Sequence, residues 1–199
     1  MVYIVYVKRL STCGKIVSAA QRLLDRQGAE AVTMRRVAAA VGVTPMALYR
    51  HFEDRDALLN TLADAGFEEL ARRVGALDLP EDPEKQLRRI LDVFLDFALE
   101  QPHLFELMFL HKRAGARQFP GDFRTGKSPT AKFAAAALEA GMKRGIFQRD
   151  DVWEITFEVG ALLQGLVMLY QGGRVGVSEA EFRALCHGAF GRYLNGIRR

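Results

Sequence analysis

The sequence predicts an all-α protein. An N-terminal three-helix helix-turn-helix domain is joined by a linking helix to a larger C-terminal helical domain. Three observations carry this. Almost every segment after Leu10 repeats apolar residues at three- and four-residue spacing, the period of a helix with one buried face. Capping residues open those segments and glycines close several of them. No strand signal survives past residue 7. The 199 residues suit one mid-sized domain or a small one fused to a larger. A composition of 49% apolar and 26% charged residues excludes bulk disorder and collagen-like repeats.

The first helical segment, 14–27, carries Ile16, Val17, Ala20, Leu23 and Leu24 at helical spacing, with Gly28 as its stop. Two short helices follow. The first, 34–41, is capped by Thr33; the second, 45–52, is capped by Thr44 and has Pro45 at the first helical position, where its missing N–H costs nothing. Asp54 caps a longer helix to residue 74, with Ala57, Leu58, Thr61, Leu62 and Ala65 as its apolar stripe. Two prolines and three acids between Leu77 and Pro83 break helix and face water, marking a boundary. Further helices are expected over 84–100, 103–111, 130–144, 150–171 and 178–196, the last opened by a Ser178/Glu181 capping box. The Gly-, Arg-, Lys- and Pro-rich stretch 112–129 reads as a mobile loop. The domains so defined are residues 10–55, a linking helix 54–75, and 76–199. Before them, Met1–Val7 is apolar but lacks a preceding basic region and a small-residue cleavage site, so it reads as a tail rather than a signal peptide.

Charge is unevenly spread. Residues 1–55 hold nine basic and four acidic side chains, a net +5, and the remaining 144 hold 19 and 20, a net −1. A basic head on a near-neutral body suggests a polyanion-binding module. The helix pair around Gly42 supplies one. Ala38, Val41, Val43 and Leu48 are placed to pin the two short helices together, leaving Pro45, Met46, Ala47 and Arg50 on the outward face. Small, uncharged leading residues let such a helix approach base edges in the major groove. Tyr49 and His51 sit where hydroxyl and imidazole reach phosphates.

Over T-M-R-R-V-A-x-x-x-G-V-T-x-x-x-L-Y-R-H-F-x-x-R-x-x-L-L (Thr33 to Leu59), and more weakly back to Lys15, the sequence resembles the TetR family of bacterial transcriptional regulators. The resemblance implies a cytoplasmic, homodimeric repressor of double-stranded operator DNA with palindromic half-sites. It implies that Thr44, Pro45, Met46 and Ala47 lie against the bases, that Arg35 reads a base, and that Tyr49 and His51 contact phosphates. Thr33 and Arg50 complete the expected DNA-binding set. The family usually has Lys where Arg55 stands; both are cations, so a phosphate contact from Arg55 is expected with altered geometry. Many members carry a short basic N-terminal arm, and here only Lys8, Arg9 and Lys15 could supply one.

The C-terminal half holds two aromatic-rich clusters: Phe94, Phe97, Leu104, Phe105, Met108 and Phe109, then Phe133, Met142, Trp153, Phe157, Leu163 and Met168. Helical spacing fits an ordinary core as well as an apolar pocket. The resemblance implies that a pocket exists; the candidates are Phe94, Phe97, Leu104, Phe105, Met108, Phe109, Phe133, Trp153, Phe157 and Met168. The expected occupant is a small apolar effector. Gly160, Gly165, Gly172, Gly188 and Gly191 fit either intramolecular packing or the dimer interface that the family builds from its last two helices. Lys112, Arg113, Arg117, Arg124 and Lys127 make the loop basic, for solvent or for an acidic ligand or partner.

Cys13 and Cys186 read as two reduced thiols of a cytosolic protein. His103, Glu106 and His111 lack the converging ligands of a metal site, so neither metal nor cofactor is expected. The most apolar run, Ile155 to Tyr170, is broken by Glu158 and Gln164, so no membrane span is expected. No G-x-S-x-G, H-E-x-x-H, P-loop or dinucleotide fingerprint occurs, so no catalytic residue is assigned. The expected function is a repressor released from its operator by a small apolar ligand. The alternatives are a ligand-independent DNA-binding module and an enzyme acting on small apolar substrates.

Overall fold

A computed structural model describes residues 11–199. The apolar tail, Lys8 and Arg9 lie outside the described residues. Ser11 caps α1 (Thr12–Gln27) by accepting from the Gly14 N–H at 3.1 Å, so the helix starts two residues before the expected Gly14. Gly28 ends it at φ +76°, a conformation that favours glycine, and a 3-10 turn, Ala29–Ala31, follows. The next two helices, α2 (Met34–Val41) and α3 (Pro45–Tyr49), are capped by Thr33 and Thr44 as expected. Between them Gly42 adopts the left-handed conformation, φ +76° and ψ 34°, and its N–H returns to the Ala38 and Ala39 carbonyls. The third helix is shorter than the expected 45–52. After Arg50 the N–H groups of His51 and Phe52 both return to the Leu48 carbonyl, which turns Phe52 into the core.

Asp54 caps α4 (Arg55–Gly75) by accepting from Ala57 N–H at 2.7 Å. Its buried stripe is Leu58, Leu59, Leu62, Ala63, Gly66, Phe67, Leu70 and Val74. The expected stripe members Thr61 and Ala65 are exposed, and Thr61 spends its hydroxyl on the Ala57 carbonyl at 2.9 Å. The helix therefore faces the core about a quarter-turn from the sequence expectation. Asp82 caps α5 (Pro83–Glu100), and α6 (Pro102–Phe109) follows after one residue. Gly66 lets α6 approach α4: a Cβ there would lie 2.5 Å from Met108 Sδ and 3.2 Å from Leu104.

The stretch 112–129 is not the open loop expected. It contains the short α7 (Gly121–Arg124) and is tied down through its basic residues. Arg117 donates to Asp64 and to the Lys127 carbonyl, Lys127 pairs with Asp122, and Arg124 pairs with Asp151. Then come α8 (Ala131–Lys143), α9 (Val152–Gln171, capped by Asp151) and α10 (Glu179–Gly196). Both halves of the Ser178/Glu181 capping box are formed. The Phe147–Arg198 bridge is the sole strand-type pairing among the described residues.

One hydrophobic core runs from Ile16, Leu24 and Val37 through Leu58 and Leu62 to Leu91, Phe105, Leu163 and Phe182. Both α1 and α5 pack on α4, and α1 also packs on α6, so the helix-turn-helix unit sits directly on the body. By length and composition α9, with mean hydropathy 1.4, is able to cross a membrane, which amends the expectation that no segment qualifies. Here it packs against α8 and α10 and carries Glu154 and Glu158.

Candidate nucleic-acid interface and internal cavity

The geometry of the helix pair follows from local hydrogen bonds. Thr33 Oγ1 accepts from Arg36 N–H and Thr44 Oγ1 from Ala47 N–H, each at 3.3 Å. Each hydroxyl hydrogen stays available for an acceptor such as phosphate. Ala38 and Leu48 are fully buried, and Val41 and Val43 pack half-buried against the same core. Those contacts turn the other side of α3 outward: Met46 is 71% exposed, and Pro45, Tyr49, Arg50 and His51 are exposed beside it, while Ala47 is half-buried. Arg35 is exposed on α2, and Thr33 is half-buried at its start. Neither Arg35 nor Arg50 makes an ion pair among the described residues, whereas Arg36 is held by Gln27 at 2.7 Å. Lys15 is exposed on the first turn of α1.

Arg55 also makes contacts within the chain. Its Nε donates to the Val32 carbonyl and its Nη2 to the Ala29 carbonyl, both at 2.8 Å, and Glu30 lies 3.5 Å away. The guanidinium thus satisfies two carbonyls at the α1–α2 connection and pins the start of α4 there. These carbonyl partners lie 23 to 26 positions away, beyond the reach of local sequence reading.

The arrangement suits duplex DNA. A narrow uncharged tip enters a groove, an unpaired arginine can bond guanine bidentately, and flanking hydroxyl, imidazole and guanidinium groups reach phosphates.

A cavity of about 310 Å³ lies in the body, walled by residues of α4 through α10. Of the expected pocket residues, Phe94, Met108, Phe109 and Phe157 line it. Phe97, Leu104 and Phe105 do not: they are buried core, with Phe105 packed behind Phe94 and Phe109 and Leu104 pressed beside Gly66. Phe133 sits beside Gly75 under Lys132, Trp153 is half-buried on the first turn of α9, and Met168 is exposed near its end. Sequence reasoning missed Phe67, Leu70 and Val74 of α4, whose spacing simply continues the stripe of that helix. It also missed Phe123 as a cavity residue, and it left Arg113 and Arg117 open between solvent and an acidic ligand or partner; both line the cavity.

The remaining candidates resolve simply. His187 pairs with Asp92 at 2.7 Å, and His103 stands 4.0 Å from Glu106. No group of three metal-ligating side chains converges among the described residues. Cys13 is exposed, and burial pushes the Cys186 thiol up to about 11.

These features define a helix-turn-helix protein with a hollow helical body. Residues 16–63 match the bacterial regulatory proteins of the tetR family, and residues 87–189 match the tetracyclin repressor-like C-terminal domain. The chain belongs to the tetR family. The tetracycline repressor protein class A from transposon 1721 of Escherichia coli is 31% identical over 153 residues, 75% of this chain and 64% of that protein. The nucleoid occlusion factor SlmA of Photobacterium profundum is 34% identical over 93 residues, 46% of this chain and 47% of that protein. The chain thus spans about half the length of the nucleoid occlusion factors it matches. A structure of a protein of unknown function from Rhodococcus sp. RHA1 superposes with a TM-score of 0.79 at 21% identity, covering 98% of this chain and 99% of that one. That likeness is one of fold. Membership of a family of regulators removes the enzyme alternative.

Proposed function

We propose that this protein is a homodimeric, DNA-binding transcriptional regulator that represses by occupying palindromic operator DNA until a small molecule fills its cavity. The observation that carries the reading is the exposed, uncharged tip of α3, with Met46 at 71% exposure, flanked by the unpaired Arg35 and Arg50. One such tip has a small contact area, and two copies on half-sites about 34–36 Å apart supply affinity. Met168 and Leu169 of α9 and Leu185 of α10 are exposed, and a Cβ on Gly165 would meet nothing within 4 Å, so these helices offer an apolar face to a second copy. The working compartment is the cytoplasm, where bacterial DNA lies.

Release would run through α4 and α6. The first half of α4 buries Leu58, Leu59 and Leu62 in the core next to the helix-turn-helix unit, and its second half gives Phe67, Leu70 and Val74 to the cavity. Helix α6 gives Met108 and Phe109 to the cavity and sets His103 3.4 Å from the Cβ position of Gly28 at the end of α1. A ligand that favours a different seating of these helices shifts the spacing of the two DNA-reading tips.

Selection of bound DNA from a random pool tests this and should return a palindrome. Arg35→Ala should weaken binding by about 1–3 kcal/mol and relax preference at one position. Tyr49→Phe should weaken it by about 0.5–1.5 kcal/mol, similarly on every sequence. Full affinity in both variants would place the DNA face elsewhere. The likeness to nucleoid occlusion factors favours a second reading, a DNA-binding module that needs no ligand. DNA affinity that stays constant across a panel of ligands would select it.

A further inference from the structure

The cavity wall does not match a purely apolar effector. Its lining includes two arginines, Arg113 and Arg117, and no carboxylate. Both guanidinium groups are held from behind. Arg113 donates Nη1 to Asn60 at 3.0 Å and Nη2 to the Met108 carbonyl at 3.4 Å. Arg117 donates Nε to the Lys127 carbonyl at 2.9 Å and Nη2 to Asp64 at 3.1 Å, and lies over the Phe67 ring at 4.7 Å. Each still has one buried nitrogen without a partner among the described residues: Nε of Arg113 and Nη1 of Arg117. Buried donors of a charged group without protein acceptors are rare in folded proteins and call for a partner, whether water or ligand. Asp64 is the one carboxylate ion-paired with either arginine, which leaves one positive charge uncompensated. Desolvation holds the Arg113 guanidinium below its ordinary value, a cost that a buried anion would relieve. The buried Ser128 hydroxyl, also on the wall, accepts from Ala131 N–H at 3.4 Å and keeps its hydrogen for another acceptor.

We propose that the effector is a small amphipathic monoanion, a carboxylate on a compact apolar body. The guanidinium groups of Arg113 and Arg117 take the carboxylate, and Phe94, Phe109, Phe123 and Leu163 enclose the apolar part. One negative charge balances the site, and about 310 Å³ is at the small end of ligand cavities. This assignment rests on the reading of the cavity as an effector site.

Calorimetric titration of the full chain with octanoate and 4-phenylbutyrate, each beside the alcohol of the same skeleton, tests it. At least one carboxylate should bind about tenfold or more tightly than its alcohol. Arg113→Met keeps an apolar stem and should cut carboxylate affinity about tenfold or more while sparing the alcohol. Since Arg117 also holds the loop, the companion variant is Asp64→Asn. It removes the competing anion and should tighten carboxylate binding, whereas structural damage would weaken every ligand. An alcohol that binds as tightly as its carboxylate, with both variants indifferent, overturns the headgroup and leaves the effector site standing. Failure of all four compounds to bind folded, DNA-competent protein overturns both.

Discussion

The arginines beside the DNA-reading tip and several arginines of the rest of the molecule have different partners. In the helix-turn-helix unit Arg35 and Arg50 point into solvent with no carboxylate paired to them among the described residues. On the linking helix Arg73 pairs with Glu69 and Glu100, and in the body Arg88 pairs with Glu84 and Arg183 with Asp96 and Glu179. Hydrogen bonds from Arg73 and Arg72 hold Glu69 below the usual carboxylate range. Other body cations, among them Arg89, Arg149, Arg174 and Arg192, are exposed and make no ion pair among the described residues, so what sets Arg35 and Arg50 apart is their place beside the exposed tip of α3. Arg55 belongs by sequence to the head and by geometry to the framework, while Arg113 and Arg117 are body residues that still hold unmade hydrogen bonds. Net charge by region therefore points to a DNA-binding head, but only the partner of each guanidinium says what that residue does.

The contrast can be broken most forcefully at Leu48. It is fully buried and fixes the tip of α3, so Leu48→Ala should cost about 2–5 kcal/mol in urea unfolding. Operator affinity should fall with it, while ligand binding in the body survives wherever the chain stays folded. Next comes Arg55→Ala. Leaving the Val32 carbonyl without its donor, and the Ala29 carbonyl with only the Val32 N–H, should cost about 1–3 kcal/mol of stability. With the guanidinium held by carbonyls, the salt slope of DNA binding should stay unchanged; a slope shallower by about 0.9 would make Arg55 a phosphate ligand.

The smallest effect concerns pH. Burial raises the Cys186 thiol to about 11 in the folded protein, against about 8.5 in an unfolded chain. The folded state keeps the proton that the unfolded state releases. Stability from this group is complete below about pH 8.5 and is lost as pH rises towards 11. Cys186→Ala should flatten that part of the stability profile. In the native protein at neutral pH a thiol reagent should modify Cys13 and spare Cys186. Rapid modification of both would mean that α10 opens readily.

Most helices stood near their expected positions because caps and apolar periodicity act over three or four residues. Thr33, Thr44, Asp54 and Ser178 each bond an N–H three positions on, and the all-α class follows. The exposed face of α3 was readable for the same reason: once Leu48 is inward, Met46 and Tyr49 on the opposite side face out. The pocket was half readable. Aromatic residues at helical spacing look alike whether they fill a core or wall a cavity, and Phe105 and Phe109, four apart on α6, take opposite roles.

What sequence alone determined here is the local part: helix starts and stops, the helix-turn-helix with its outward tip, and the excess of basic over acidic residues in the first 55. The cavity and its charge came from contacts between distant positions. Arg113 with Asn60 and Arg117 with Asp64 each span 53 residues. A hydrogen bond at a cap depends on residues within one helical turn and is written in their order. A cavity is the space that several helices leave when they pack, and the polar atoms left unpaired on its wall are known only after every neighbour has been placed.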